Sequence, residues 1–112
     1  MVNRKDFLGL FESNRYTIHT IFINGFFLAI ESRHFAEATF FENWIKAHFY
    51  KENEAYLRIV FKFAQGELLF LQGNKENGLK QMKQAVHILQ LLDCQTSAEY
   101  YQNGIEKLLK EN

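Results

Sequence analysis

Residues 54–72, EAYLRIVFKFAQGELLFLQ, are apolar on almost every side of a helix. At about 3.6 residues per turn they form two adjacent apolar stripes, with Leu57, Phe61, Ala64, Leu68 and Leu71 in one and Tyr56, Val60, Phe63 and Phe70 in the other. Such a helix requires cover on several sides, so we expect it to be the central helix of the fold. Gly66 lies in its middle, where glycine costs about 1 kcal/mol relative to alanine. We therefore expect a second backbone to approach closely there.

Composition indicates one small helical domain around this segment. The chain has 112 residues, no proline, and 47% hydrophobic residues that include twelve phenylalanines. The length is that of a single domain, and the absence of proline allows long helices to run uninterrupted. Thirteen basic residues balance thirteen acidic ones. Because nucleic-acid binding needs a basic surface, we expect no direct nucleic-acid binding by this chain.

Three features of the sequence bear on its location. Cys94 is the only cysteine, which excludes an internal disulfide and fits a reducing compartment. An apolar stretch at 18–30 is shorter than the about 20 residues that a membrane-spanning helix needs. The first residues are polar and show no signal-peptide pattern. We expect a cytoplasmic protein that does not bind membranes.

Periodicity predicts an all-α chain of about five helices in a single domain, residues 1–112. We expect residues 1–14 to be the end of a preceding helix or an N-terminal cap, and residues 15–49 and 54–92 to be two helical hairpins. Residues 96–110 are expected to form a C-terminal capping or dimer helix. In the first hairpin, Ile21 and Leu28 are among the residues that we expect to be buried.

The predicted helix ends depend on particular residues. Gly73 suits the left-handed conformation that ends a helix. Arg33 marks an earlier turn, the one that follows the helix ending at about Glu31. Asn74 is a candidate N-cap for the next helix, as Asn53 is for the central one. Thr96 and Glu99 have the spacing of a capping box, which predicts that the last helix begins just after Thr96.

An internal repeat links the two hairpins. The segments GFFLAIESRHFAEATFFENWI from Gly25 and GELLFLQGNKENGLKQMKQAV from Gly66 align without gaps at a period of 41 residues. In the second copy, the small and large positions have the spacing of a tetratricopeptide repeat; they are Gly66, Gly73, Gly78, Met82 and Ala85. We predict a tetratricopeptide-like helical-hairpin repeat, a right-handed α-superhelix, in which Gly66 and Gly78 let the paired helices approach and Met82 fills the space between them. The alternative is a bundle with isolated glycines.

Residues 63–92 resemble the C-terminal domain of Rgg/MutR-type transcriptional regulators from Gram-positive bacteria. The resemblance is carried by the Gly-Glu-Leu-Leu-Phe of 66–70, the turn from Gly73 to Gly78, and the helix around Met82 and Leu89. Ala98-Glu99-Tyr100 extends it into the last helix. It implies a cytoplasmic homodimer with an N-terminal helix-turn-helix and a repeat domain that receives short, often hydrophobic, pheromone peptides on its concave side. No helix-turn-helix segment precedes Asn14, so we expect an effector domain without its own DNA reader.

In hairpins of this kind, the first helix of each pair lines the concave side. The candidate peptide-binding residues are His19, Phe22, Asn24, Phe26, Val60, Phe63, Glu67 and Phe70. An apolar groove with few polar anchors suits an extended hydrophobic peptide. A carboxamide such as that of Asn24 both donates and accepts hydrogen bonds, as a peptide backbone does. The alternative is structural, with the phenylalanines in the core and the amide bonded to a neighbouring helix.

Helical hairpins leave apolar ends that need cover, so we expect self-association. Following the resemblance, the last helix is the candidate dimer interface, through Tyr100, Tyr101, Ile105, Leu108 and Leu109. The alternative is that this helix only caps the repeat.

Residues with catalytic potential are few. Glu31-Ser-Arg-His34 has the Glu-x-x-His spacing of di-iron bundles, but a single copy at a predicted turn does not make a metal site. We expect no enzymatic activity, no metal and no cofactor. The leading hypothesis is the effector domain of a transcriptional regulator that binds a short hydrophobic peptide and dimerises. The alternative is a stand-alone interaction module with no transcriptional role.

Overall fold

The computed structural model describes residues 15–48 and 55–111. These residues form five helices and no strand: α1 Arg15–Glu31, α2 Phe35–His48, α3 Ala55–Leu71, α4 Lys75–Leu91 and α5 Gln95–Glu111. The all-α fold with about five helices is therefore confirmed. The predictions for residues 1–14, for the end of the first hairpin at Phe49 and for the Asn53 cap lie outside the described residues.

Three turns of the same construction, after α1, α3 and α4, lie within the described residues. Arg33, Gly73 and Asp93 each have a positive φ, of 62°, 103° and 60°. At each turn the following amide bonds back five residues, from His34 to Ala29, Asn74 to Leu69 and Cys94 to Leu89, at 2.9 Å in every case. This is the Schellman arrangement, in which a left-handed residue ends the helix. The left-handed conformation predicted for Gly73 is confirmed.

The turns also give the period of the repeat. Arg33 and Gly73 are 40 residues apart, and Gly73 and Asp93 are 20 apart. The helices begin at residues 15, 35, 55, 75 and 95, in keeping with this spacing. The 41-residue alignment was therefore one residue too long, because it matched glycine with glycine and not turn with turn.

Two of the predicted caps are not formed. Asn74 precedes α4, but its side chain makes no capping hydrogen bond. Helix α5 begins at Gln95, and the Ala98 amide donates to the Cys94 carbonyl at 2.9 Å. Thr96 therefore lies inside the first turn and not before it, which rules out the predicted capping box. The repeated Schellman turn sets where both helices begin.

Helix α3 is central, as predicted, because its two sides contribute to two hydrophobic clusters. The first cluster, shared with α1 and α2, takes Leu57, Val60, Phe61, Ala64 and Leu68 from α3. The second, shared with α4 and α5, takes Ile59, Phe63 and Phe70. Two hydrogen bonds also link polar groups of α3 to its neighbours. Gln65 Nε2 donates to Glu42 of α2 at 3.1 Å, and Gln81 of α4 donates to the Lys62 carbonyl at 3.0 Å.

Close approach of α3 and α4 occurs where the glycines predicted it. A Cβ added at Gly66 would lie 2.8 Å from the Gly78 carbonyl oxygen, and one added at Gly78 would lie 2.5 Å from the Gly66 oxygen. The side chain of Met82 is completely buried beside them. The prediction that two glycines bring the paired helices together, with Met82 filling the space, is confirmed.

Helix α1 faces the core differently from the prediction. Ile21 and Leu28 are 61% and 65% exposed, whereas Ile23, Phe26 and Ile30 are buried. The expected burial of Ile21 and Leu28 was therefore wrong. The sequence of α1 is apolar all round, so its hydrophobic pattern alone does not select the face that is buried.

Candidate functional site

A groove of about 610 Å³ lies between α1, α3 and α5, the first helices of successive hairpins. Its lining residues, besides the buried Met82 of α4, are Asn24, Phe27, Glu31 and Arg33 of α1 or the turn after it, Phe63 and Glu67 of α3, and Tyr100, Tyr101, Asn103, Gly104, Lys107, Leu108 and Glu111 of α5. Ligand pockets in proteins are typically about 300–1,000 Å³. The groove is therefore large enough to hold a small organic molecule or part of a short peptide.

Three aromatic rings form the floor of the groove, one from each helix. The ring centroids of Phe63 and Tyr101 lie 4.8 Å apart, and Phe27 lies 6.4 Å from Phe63 and 6.3 Å from Tyr101. We call Phe27, Phe63 and Tyr101 the aromatic floor. Rings at such distances attract one another beyond the burial of their surface, so the floor is pre-formed.

One helical turn beyond the floor, the lining becomes acidic. Glu31 follows Phe27 by four residues on α1, and Glu67 follows Phe63 by four on α3, so each carboxylate stands on the same side of its helix as the ring before it. We call this pair the acidic end. Arg33 is close by, but its Nη1 donates to the carbonyl oxygens of Ile30 at 3.2 Å and of Glu31 at 3.1 Å.

Electrostatics at the acidic end disfavour a charged Glu67. The pKa of Glu67 is raised to about 7, first by burial and then by repulsion from Glu31, while Arg33 acts in the opposite direction. Burial also raises the pKa of the Tyr101 hydroxyl, with Tyr56, Tyr100 and Glu67 adding to the effect. Tyr101 is therefore a neutral hydroxyl at physiological pH, whereas Glu67 is divided between its two protonation states.

Of the eight candidate peptide-binding residues, three line the groove: Asn24, Phe63 and Glu67. Four others, His19, Phe26, Val60 and Phe70, are at most 4% exposed and belong to the packed interior. Phe22 is half-buried, and its ring stacks on Trp44 with 3.6 Å between centroids. These five side chains support the helices and do not reach the groove.

The candidate dimer residues divide in a similar way. Tyr100, Tyr101 and Leu108 line the groove. Ile105 is 1% exposed and packs in the second cluster with Leu108, so both hold α5 against the rest of the domain. Only Tyr100 and Leu109, at 71% and 46% exposed, present a large apolar surface to solvent.

The groove contains residues that the sequence interpretation missed, and the 40-residue period connects two of them, Phe27 and Lys107, with the predicted Glu67. Phe27, Glu67 and Lys107 succeed one another at that interval, and all three line the groove. The 41-residue alignment matched Glu67 with Phe26, which is buried. An error of one residue rotates a helical position by about 100°, enough to move it from the groove into the core. The spacing of Arg33 and Gly73 was the signal that could have corrected it.

Other kinds of site receive no support from the described part of the chain. Residues 15–48 and 55–111 hold no group of three or more side chains placed to bind a metal ion. None of the described helices is long and apolar enough to span a membrane.

Comparison with known families bears on the function. The chain matches, over residues 1–103, the family model described as the C-terminal domain of the HTH-type transcriptional regulator Rgg. This match takes in most of the 112 residues and both hairpins. No curated protein matches the chain. The family is a domain of transcriptional regulators and not an enzyme class.

Proposed function

This chain belongs to the family of C-terminal domains of Rgg HTH-type transcriptional regulators, and from that premise we propose that it binds a short hydrophobic peptide in its groove. It is a regulatory domain of a transcriptional regulator. Occupancy of the groove would carry the signal that this domain passes on. The location that suits such a role is the cytoplasm, as the sequence predicted.

The observation that carries the proposal is the groove itself. Its aromatic floor offers apolar contact to ligand side chains, and Asn24 at its edge is an exposed carboxamide. Peptide sites combine these features, because apolar surfaces supply affinity while a few polar groups fix the peptide backbone. The competing hypothesis, an interaction module with no transcriptional role, is not favoured by the family match.

Gly104 provides a direct test because a side chain there would enter the groove. A Cβ built at Gly104 lies 3.8 Å from Cζ of Phe63 and meets no closer atom. Gly104→Leu should therefore cover the aromatic floor, while Gly104→Ala adds only one methyl group and serves as the matched control. Isothermal titration with a panel of short leucine- and phenylalanine-rich peptide amides should show saturable binding to the wild type.

We expect Gly104→Leu to weaken peptide binding by at least about tenfold, and Gly104→Ala to change it by less than about threefold. Asn24→Ala should also weaken binding if the carboxamide contacts the peptide backbone. A negative heat-capacity change would accompany burial of the floor. Failure of every peptide in the panel to bind, or equal binding by Gly104→Leu, would overturn the proposal.

Dimerisation is the second part of the proposal. Leu109 on α5 is 46% exposed, whereas Ile105 and Leu108 on the same helix are committed to the core. If α5 forms the dimer surface, Leu109→Lys should give a monomer by light scattering. The exposed neighbour Lys110 provides the control, since Lys110→Glu also changes a charge without removing apolar surface. A wild-type monomer at all concentrations would contradict this part.

A further inference from the structure

The groove changes character along its length. At one position along the helices, the groove is lined by the rings of Phe27, Phe63 and Tyr101. One helical turn further along the chain, α1 and α3 each contribute a glutamate to the lining. The two carboxylates are close enough for the charge of Glu31 to affect the ionisation of Glu67. A ligand lying along the helices would therefore meet an apolar surface first and an anionic one next.

Neither carboxylate of the acidic end has a partner within the described chain. The ion pairs found among residues 15–48 and 55–111 join His34 with Glu37 and Lys46 with Glu42, all on α2 or at its start. Glu67 accepts no hydrogen bond there, although it is half-buried. No fully buried side-chain oxygen of the described residues lacks a partner, so water still reaches this carboxylate. Partial burial weakens the hydration of its charge, and a proton or an incoming cation therefore stabilises it more than it would an exposed carboxylate.

The cations among the described residues do not supply that partner. The Arg33 guanidinium donates to two main-chain carbonyls at the end of α1, where it also offsets the negative end of the helix dipole. Its effect on Glu67 is smaller than those of burial and of Glu31, which act in the opposite direction. Lys107 lines the groove from α5 but forms no ion pair with either glutamate among the described residues.

We propose that the acidic end selects a cationic group of the bound peptide, so that the groove takes an apolar peptide bearing an ammonium or guanidinium next to its apolar side chains. This inference rests on the proposed function and names the class of peptide. The cation has two sources, the free amino terminus or a basic side chain. In a half-buried site, a charge-assisted hydrogen bond is stronger than an exposed ion pair.

The test uses the tightest-binding peptide amide of the panel in four forms, compared by isothermal titration. One has a free amino terminus, one is N-acetylated, and the other two are N-acetylated with a first residue of lysine or aspartate. We expect at least one cationic form to bind about ten- to a hundredfold more tightly than the N-acetylated parent. The aspartate form should bind more weakly than that parent. The free-terminus and lysine forms distinguish the two sources of the cation.

Glu67→Gln keeps the size of the side chain and removes its charge. It should reduce the preference for the cationic form to less than about threefold, while binding of the N-acetylated parent is unchanged or tighter. Glu106→Gln, at an exposed position of α5 outside the groove, should leave the preference intact. Equal binding of all four forms, or a preference that survives Glu67→Gln, overturns the inference and leaves the proposed function standing. Failure of the whole panel overturns both.

Discussion

Among single residues, Glu67 shows most clearly how placement changes chemistry. In an unfolded chain its carboxyl group titrates near 4.5, whereas in the folded domain burial and then Glu31 raise its pKa to about 7. Between these values the folded state holds the proton more tightly than the unfolded state does. Folding stability therefore falls as pH rises from about 4.5 to about 7 and gains nothing from this group above that range.

Glu67→Gln should abolish this contribution. We expect the variant to equal the wild type in stability near pH 4.5 and to exceed it at pH 8, by an amount on the order of 2 kcal/mol after allowance for partial exposure. Urea unfolding at several pH values measures the difference. The exposed Glu106→Gln variant is the control and should follow the wild type. A constant difference between Glu67→Gln and wild type across this range would contradict the assignment.

Among the elements, the packing of α3 on α4 depends on main-chain contact. At Gly78 an added Cβ would meet the Gly66 oxygen and the Phe70 amide nitrogen, both at 2.5 Å. Both are backbone atoms of α3, which cannot rotate away as a side chain does. The two helices would have to separate, and the contacts of the buried Met82 would be lost with them.

Gly78→Ala should therefore destabilise the domain by about 3 kcal/mol, despite the higher helix propensity of alanine. Gly104→Ala is the matched comparison, since its nearest contact, Phe63 Cζ, is at an ordinary distance of 3.8 Å. It should stabilise the domain by about 0.5–1 kcal/mol. Thermal and urea unfolding of both variants check the two signs. Equal effects of the two substitutions would show that the close approach has little energetic importance.

For the whole molecule, the two hydrophobic clusters share α3. Leu57 and Leu68 on one side of this helix pack with α1 and α2, while Phe63 and Phe70 pack with α4 and α5. Loss of order in α3 would remove part of both clusters at once. We therefore expect the described helices to unfold as one cooperative unit.

Trp44, the single tryptophan, reports on this cooperativity because it stacks with Phe22 in the first hairpin. Its fluorescence and the helical circular dichroism should give the same urea midpoint. Met82→Ala, in the second cluster, should lower the midpoint seen at Trp44 through a loss of about 2–5 kcal/mol. The exposed Leu109→Ala is the control. A Trp44 transition that Met82→Ala does not move would mean that the hairpins unfold independently.

The sequence by itself determined the helical class, the central position of α3, the left-handed turn at Gly73 and the contact of Gly66 with Gly78. These features follow from local properties, namely a 3.6-residue periodicity and the absence of a Cβ in glycine. The resemblance seen in residues 63–92 led to the family that the comparison then showed.

Only the tertiary structure decided which side chains face the groove. Helix α1 is apolar all round, so its packing partners, and not its own pattern, turned Phe26 inward and left Phe27 at the groove. The same holds for α5, where Leu108 serves the core and its neighbour Leu109 faces solvent. Adjacent positions on a helix point about 100° apart, and that rotation is fixed by contacts between residues distant in the sequence.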